Sequence, residues 1–545
     1  MSTEKQKIGL LDKIDKPTLL LPAIILIAAV VFGAVAPDAF NSASTAAFNF
    51  TTKYFGWFYA FGVSLLMLFC VWAGFSKYGK IKLGGKDAKP EMSFVTWFYI
   101  CLTSGIAIGI IYWGVAEPLY DLITPPGFTG WEPSSAEAAE GALKFAFLHW
   151  GFHPYAIYTA AGLCCAFIIL NGKRRFSISS SLYPLLGDKT EGTIGKLVNG
   201  LCIFAIVGGM GTSLGYGVSQ FCVGVNYVFG TNIPDSSIAV FFIGIVVILS
   251  IAFSCSGLQR GIKYVSTLKM YVFYAMLIWA FIFGGTLFIL NNTTSAIGQY
   301  LAFIVPESFY LEPVKATGWV NGWSIFYWAW WLAFAPIVGL FQIKLAKGRT
   351  IRQFVIVNLI APTLFAIVWF GVFGSSAINL ELHGANIAAK LSEWGSSVAM
   401  FAYFDNLPLK TFFHGILFVA IVISILALSE SMTLTLADMS TKPQYLGDSD
   451  KPQDSPRSLK VFWALLVGAI AFILLFSGGL GALQTASIVC GFPILMLQLV
   501  MAVAYIKSMH QQSKYDLTLT EKEKAEMEQG EGKEKETIET EGQFE

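Results

Sequence analysis

Twelve stretches of roughly 20 or more apolar residues run through this chain, at approximately 17–36, 55–76, 93–122, 140–170, 196–228, 238–257, 265–290, 322–343, 353–379, 411–437, 460–483 and 485–506. A bilayer core about 30 Å thick takes roughly 20 apolar residues to cross as a helix. The pattern therefore reads as an all-α integral membrane protein of twelve transmembrane helices. Residues 1–16 form an N-terminal segment, 17–508 the helical domain and 509–545 an acidic tail. Stretches longer than 25 residues imply tilt or extension beyond the membrane. The first 17 residues, MSTEKQKIGLLDKIDKP, are too charged, and the apolar run begins too late, for a cleaved signal peptide, so the first span is expected to be retained.

Charge orients the spans. Only 13% of the residues are charged and 55% are hydrophobic, against about a quarter charged in soluble domains, which excludes a soluble enzyme. Net charge is +1, yet residues 514–545 carry 11 acids and five lysines, so a −6 tail masks a +7 body. With the N-terminus inside, 24 Lys and Arg fall on one side, among them Lys77, Lys80, Lys82, Lys173, Arg174, Arg175, Lys347, Arg349 and Arg352. The opposite loops hold four, Lys53, Lys315, Lys390 and Lys410. Cytoplasmic loops carry the positive excess, so both termini are expected in the cytoplasm. The tail, rich in Glu and Lys without an apolar face, reads as solvated or disordered. No dense basic surface offers a nucleic-acid footprint. Short helices lying across the outer face are expected in 291–320 and 384–402.

Polar, glycine-rich and aromatic clusters inside spans mark function, because hydrocarbon tolerates them only beside a cavity or in protein interior. In the third span Gly105, Ala107 and Gly109 precede Tyr112, Trp113, Glu117, Pro118 and Tyr120; the glycines fit close packing or an unwound segment. Glu117 caps freed backbone or pairs with a cationic side chain. In the eighth span Trp323, Trp330, Trp331 and Phe334 recur at spacings of 7, 8 and 11, which puts them on one helical face. The fourth span carries His149, Trp150, His153, Tyr155 and Tyr158. Two histidines four apart, with no third ligand, fit packing or hydrogen bonding better than metal. The eight cysteines lie in apolar stretches without His clustering, so neither a disulfide framework nor a zinc site is expected, and no cofactor is called for. Aromatic faces from several helices form a cage that attracts a quaternary ammonium by cation–π forces of roughly 0.5–2 kcal/mol per ring. Such a cation has no N–H to donate, so rings suit it better than carboxylates.

The strings FYWAWW and FQIKLAKGRTIRQF, with LHWGFHPYAIY, WGVAEPLY and SGLQRGIKYVS, resemble the betaine/choline/carnitine transporter family across roughly residues 15–508. The resemblance implies twelve helices, the last ten forming two five-helix inverted repeats, 3–7 and 8–12. It implies a multi-pass protein of the bacterial inner membrane, a homotrimer that moves a small quaternary ammonium substrate by alternating access. By similarity Trp323, Trp330, Trp331 and Phe334 form a central substrate cage with Trp150, Tyr155, Tyr158 and Tyr120, and the glycine segment Gly105, Ala107 and Gly109 belongs to the same site. Phe334 and Tyr155 stand where relatives often carry Tyr or Trp.

Coupling turns on residues that depart from the sodium-dependent pattern. Where such members place Thr then Ser in the tenth span, this chain has Ala427 and Leu428; Ile206 and Met210 replace a second pair of hydroxyls. Lys269, about 12 Å deeper than Gly261 by helical rise, aligns with the arginine of sodium-independent carnitine/γ-butyrobetaine antiporters. It snorkels to the cytoplasm or serves as a fixed cation in place of sodium. Glu430 pairs with Lys269 or titrates by itself. A lysine, unlike arginine, gives up its proton on burial, which keeps proton linkage open. Sodium-independent exchange is the expected mode, with a sodium- or proton-coupled symporter of a betaine-type solute as the alternative. A membrane enzyme lacks a convergent nucleophile–base or metal set, and a channel lacks a continuous polar lining.

Overall fold

The computed structural model describes residues 10–104, 108–256, 259–442, 454–520 and 522–525. These residues are helices joined by loops, and the only β pairings among them are two isolated bridges, Ile14 with Thr441 and Lys82 with Thr350. In chain order the main helices are α1 (Lys16–Val35), α2 (Pro37–Phe75), α3 (Phe94–Ser104), α4 (Ile108–Ile123), α5 (Ala136–Trp150), α6 (Phe152–Leu170), α7 (Thr193–Phe229), α8 (Asp235–Ser256), α9 (Gln259–Phe283) and α10 (Thr286–Phe309). They continue with α11 (Asn321–Ala346), α12 (Ile351–Leu382), α13 (Ile387–Trp394), α14 (Ala399–Asp405), α15 (Lys410–Met439) and α16 (Arg457–Met509). Among the described residues nine helices, counting α5–α6 as one, are long and apolar enough to cross a membrane alone, or ten if α9 and α10 together make one bent span.

In the stretch 93–122 helix is described over Phe94–Ser104 (α3) and Ile108–Ile123 (α4), and 105–107 lie outside the described residues. Two differences from the sequence reading have local causes. The stretch 265–290 is cut at Gly284 and Gly285, where φ of +92° at Gly285 reverses the chain, a conformation that costs glycine nothing. Beyond this turn runs the 24-residue α10, set at 104° to the helix before it, where shorter helices were expected. The last two stretches run through one helix, α16, interrupted only by non-helical backbone at Gly479, five residues before the expected gap.

Helices differ in how enclosed they are. In α5–α6 94% of the most apolar window is buried, and in α11 89%; α1 and α8 bury 28% and 33% of theirs. The aromatic, polar-bearing helices are thus central and the aliphatic ones peripheral, as a lipid solvent requires.

The basic loop is a structural clip. Leu83 N–H donates to Arg349 O (2.9 Å), Gly348 N–H to Leu83 O (2.9 Å) and Ile351 N–H to Ile81 O (3.0 Å). Arg352 Nε donates to Gly74 O at 3.0 Å and its Nη2 to Ser76 O at 3.5 Å, capping the carbonyl end of α2. Arg349 donates to Met92 O at 2.6 Å and lies over the Trp97 ring at 4.7 Å. Thr350 and Gln353 form a capping box that starts α12. The first part of the acidic tail is anchored too: Lys86 N–H donates to Leu517 O, and Tyr515 is buried beside Phe167.

Candidate functional site

The site is built where α4, α5, α6, α7 and α11 meet. Trp150 ends α5, one residue before the break at Gly151. Its indole lies 5.5 Å from that of Trp331 at 79° and 6.2 Å from that of Trp330 at 86°. Tyr155 and Tyr158, from the first two turns of α6, place their rings 5.3 Å and 5.0 Å from Trp331. In edge-to-face pairs of this kind the positive edge of one ring meets the negative face of the next, so Trp150, Tyr155 and Tyr158 form one contiguous aromatic cluster around Trp331. Trp330 is fixed by its own N–H, which donates to Ser213 Oγ of α7 at 3.2 Å.

Gly109, in the first turn of α4, closes this group. A Cβ there would lie 2.7 Å from Cη2 of Trp330 and 3.1 Å from Cη2 of Trp150. Gly105 and Ala107 lie outside the described residues.

Three of the expected cage residues fall elsewhere. Trp323 and Tyr120 pair with each other at 6.0 Å, and Trp323 packs on Trp113 at 5.5 Å, forming a second ring cluster. Phe334 packs against Gly209 of α7. Helical rise explains the division: the 11 residues from Trp323 to Phe334 cover roughly 16 Å along the axis, more than one small ligand spans. Tyr327 bridges the clusters, 6.1 Å from Trp323 and 5.4 Å from Trp150. Sequence reasoning missed Tyr327, Ser213, Tyr216 and Phe370. Tyr327 was detectable, four residues after Trp323 and three before Trp330 on the same stripe. Ser213 and Tyr216 sit in the small-residue run GGMGTSLGYG, and Tyr216 reaches Trp330 at 5.2 Å. Phe370, 5.1 Å from Trp150, stands among Phe365, Trp369 and Phe373, and nothing within its own helix set it apart from them.

The two histidines serve different helices. His149 lies between Glu117 and Ser324, whereas His153 Nε2 meets Ser308 Oγ at 2.7 Å and stacks on Trp328. Among the described residues no group of three His, Cys, Asp or Glu could hold a metal ion. Glu117, expected to cap freed backbone or to pair with a cationic side chain, instead meets an imidazole and an indole: its Oε1 is 2.6 Å from His149 Nδ1 and its Oε2 accepts from Trp150 Nε1 at 2.8 Å.

The sequence profile of the betaine/carnitine/choline family transporters matches residues 17–514. The chain belongs to that family. It is a multi-pass membrane transporter and not an enzyme. Among similar proteins, the glycine betaine transporter OpuD of Bacillus subtilis is 37% identical over 492 residues, covering 89% of this chain and 93% of that protein. The ectoine/hydroxyectoine transporter of Virgibacillus pantothenticus is 34% identical over 504 residues, 92% of this chain and 98% of its own. The osmo-independent choline transporter BetT1 of Acinetobacter baylyi is 33% identical over 463 residues, covering 84% and 86%.

The residues expected to bear on coupling stand on α7, α9 and α15. Lys269 is 9% exposed on α9. Phe273, one turn on, packs against Trp369 of α12 at 5.2 Å, and the Trp369 N–H donates to Ile110 O of α4 at 2.9 Å. Residues four apart share a helix face, so Lys269 stands on the face of α9 turned toward α12. On α15, Ala427 and Leu428 are half-buried and offer no side-chain oxygen. Ser429, the next hydroxyl, lines an apolar recess with Leu214, Val218, Ile243 and Ile425. Ile206 and Met210 are wholly buried in α7.

Proposed function

We propose that this transporter moves a trimethylammonium compound by alternating access, in sodium-independent exchange. The observation that carries the reading is the convergence of Trp150, Trp330, Trp331, Tyr155 and Tyr158 beside Gly109. A cation that cannot donate a hydrogen bond gains roughly 0.5–2 kcal/mol from each ring it faces. Trp323 and Tyr120 act one step out from this cage and Phe334 one turn in; Gly105 and Ala107 join Gly109 in the site. The reading includes twelve spans, the last ten as two inverted five-helix repeats, α3–α4 and α11 opening the two halves. It also includes a trimer in the bacterial inner membrane with both termini cytoplasmic, the orientation supported by the 24-to-four division of basic residues.

The coupling half of the proposal rests on Lys269 standing in for sodium, with Ala427 and Leu428 where hydroxyl ligands would be needed. The names of the relatives make glycine betaine and choline the first substrates to try. The experiment is uptake into proteoliposomes preloaded with unlabelled glycine betaine, choline or carnitine, in sodium and in potassium buffers. Stimulation by internal substrate with equal rates in both buffers is expected. Uptake that requires an inward sodium gradient overturns the exchange reading in favour of a symporter of a betaine-type solute.

A further inference from the structure

We propose that Glu117 is a positioning residue for the aromatic cage, orienting Trp150 directly and the opening turn of α11 through His149. This rests on the cage being the substrate site. Glu117 is wholly buried in the middle of α4, where a carboxylate is stable only if its oxygens are engaged. Both are engaged, and by adjacent residues. Oε1 lies 2.6 Å from His149 Nδ1, and Oε2 accepts from Trp150 Nε1 at 2.8 Å. One carboxylate thus grips the last two residues of α5 before the chain breaks at Gly151.

The grip extends across the site. His149 meets Glu117 through Nδ1 and the Ser324 hydroxyl through Nε2, 2.8 Å away. Ser324 belongs to the π turn Asn321–Ile325 that opens α11, and a π turn resets the azimuth of the helical turns after it. The His149 ring also stacks on Tyr327 at 4.9 Å. The chain Glu117–His149–Ser324 therefore ties α4 and α5 to the helix that carries Trp330 and Trp331.

The arrangement is selective. The buried Trp331 N–H has no acceptor among the described residues, so the fold does not satisfy every cage indole. Trp150 is held, and it is the ring that touches Trp330, Trp331, Tyr327 and Phe370 together. With its N–H anchored, the indole cannot rotate about its side-chain bonds to present a different edge to the centre.

The test uses the full-length protein, radiolabelled glycine betaine and four variants. W150F keeps a ring and removes the N–H; E117A removes the acceptor; E117Q keeps an acceptor oxygen for Trp150. W150F, which loses one hydrogen bond to a charged group, is expected to raise KM by about tenfold with Vmax within about threefold; E117A, which releases both Trp150 and His149, is expected to raise KM by at least as much. The double variant E117A/W150F is expected to be no more than about twofold worse than E117A, because W150F removes a bond that E117A has already broken. E117Q is expected to restore KM to within about threefold of wild type. Multiplying effects in the double variant, or E117Q as impaired as E117A, overturns the proposal.

A second readout needs no substrate. In protein labelled with 5-fluorotryptophan, the ¹⁹F line of Trp150, assigned by its loss in W150F, is expected to move in E117A and to stay in E117Q. An unmoved line in E117A overturns the proposal even if wild type carries no glycine betaine, an outcome that counts only against the transport reading. If E117A fails to reach the membrane, E117D, whose carboxylate is drawn back by one methylene, takes its place with the same expectations.

Discussion

A Cβ on Gly109 would sit 2.7 Å from Cη2 of Trp330, closer than two carbon atoms approach without something giving way. The indole is not free to yield, because its N–H is bound to Ser213 and its face is stacked on Phe326 at 5.9 Å. G109A therefore acts on the cage rather than on the helix. The added methyl is expected to cost about 1–3 kcal/mol of strain, read as a rise in KM for glycine betaine of about tenfold or more. Because alanine is the better helix former, the melting temperature of the purified protein is expected to fall little. A large fall in melting temperature with unchanged KM would mean that the close approach serves packing alone.

The two ring clusters predict unequal roles for two tryptophans of α11. Trp331 faces Trp150, Tyr155 and Tyr158 at once, whereas Trp323 faces Trp113 and Tyr120. W331L keeps apolar bulk and removes the π face, and is expected to weaken equilibrium binding of glycine betaine by roughly three- to thirtyfold. W323L is expected to change the same constant less and the uptake rate more. Binding by isothermal calorimetry, set against initial uptake rates, separates the two effects; equal losses of affinity would join both tryptophans in one cage.

How much of this was legible in the residues depends on the reach of each signal. Span positions were readable because burial of backbone in lipid is a property of about 20 consecutive residues, and local composition decides it. The ring stripe of α11 was readable for the same reason, being a periodicity within one helix. The partition of that stripe was hidden, because it depends on which neighbours meet each level: Gly109 and Trp150 at one, Trp113 and Tyr120 at another. Phe370 was hidden among Phe365, Trp369 and Phe373, which carry the same ring signal but do not reach Trp150. The turn at Gly285 was obscured by the apolar residues on both sides, which blend two helices into a single hydropathy peak. Glu117 was noticed as an exception, but its partners His149 and Trp150 lie 32 and 33 residues away, a separation that no helical period predicts.

The family's basic loop, so prominent in sequence, gives a prediction about stability. Arg352 donates to the carbonyls of Gly74 and Ser76, which belong to the end of α2 and have no partner further along that helix. R352A is expected to destabilise the protein by about 1–3 kcal/mol, measured as a lower melting temperature in detergent, with glycine betaine KM unchanged. R352K is expected to recover only part of the loss, since an ammonium cannot reproduce the planar fork. An altered KM at wild-type stability would give the arginine a role in transport that its carbonyl contacts do not suggest.

Lys269 carries the most consequential prediction. It lies on α9 one turn before Phe273, which packs on Trp369, and the Trp369 N–H donates to the Ile110 carbonyl of α4. On the proposed reading a fixed cation there would take the place of a bound sodium ion, without a gradient. K269M keeps length and removes charge, and is expected to slow exchange of glycine betaine by at least about tenfold while its binding constant changes by less than about threefold, the separation of kinetic from binding effects. K269R then distinguishes two ways for a lysine to act. Guanidinium keeps its proton at any physiological pH whereas a buried ammonium can lose it. If the permanent charge is what matters, K269R exchanges at close to the wild-type rate; if proton release drives the cycle, K269R is as slow as K269M and wild-type uptake responds to an imposed pH gradient. Wild-type rates in K269M would leave Lys269 a snorkelling side chain with no part in coupling.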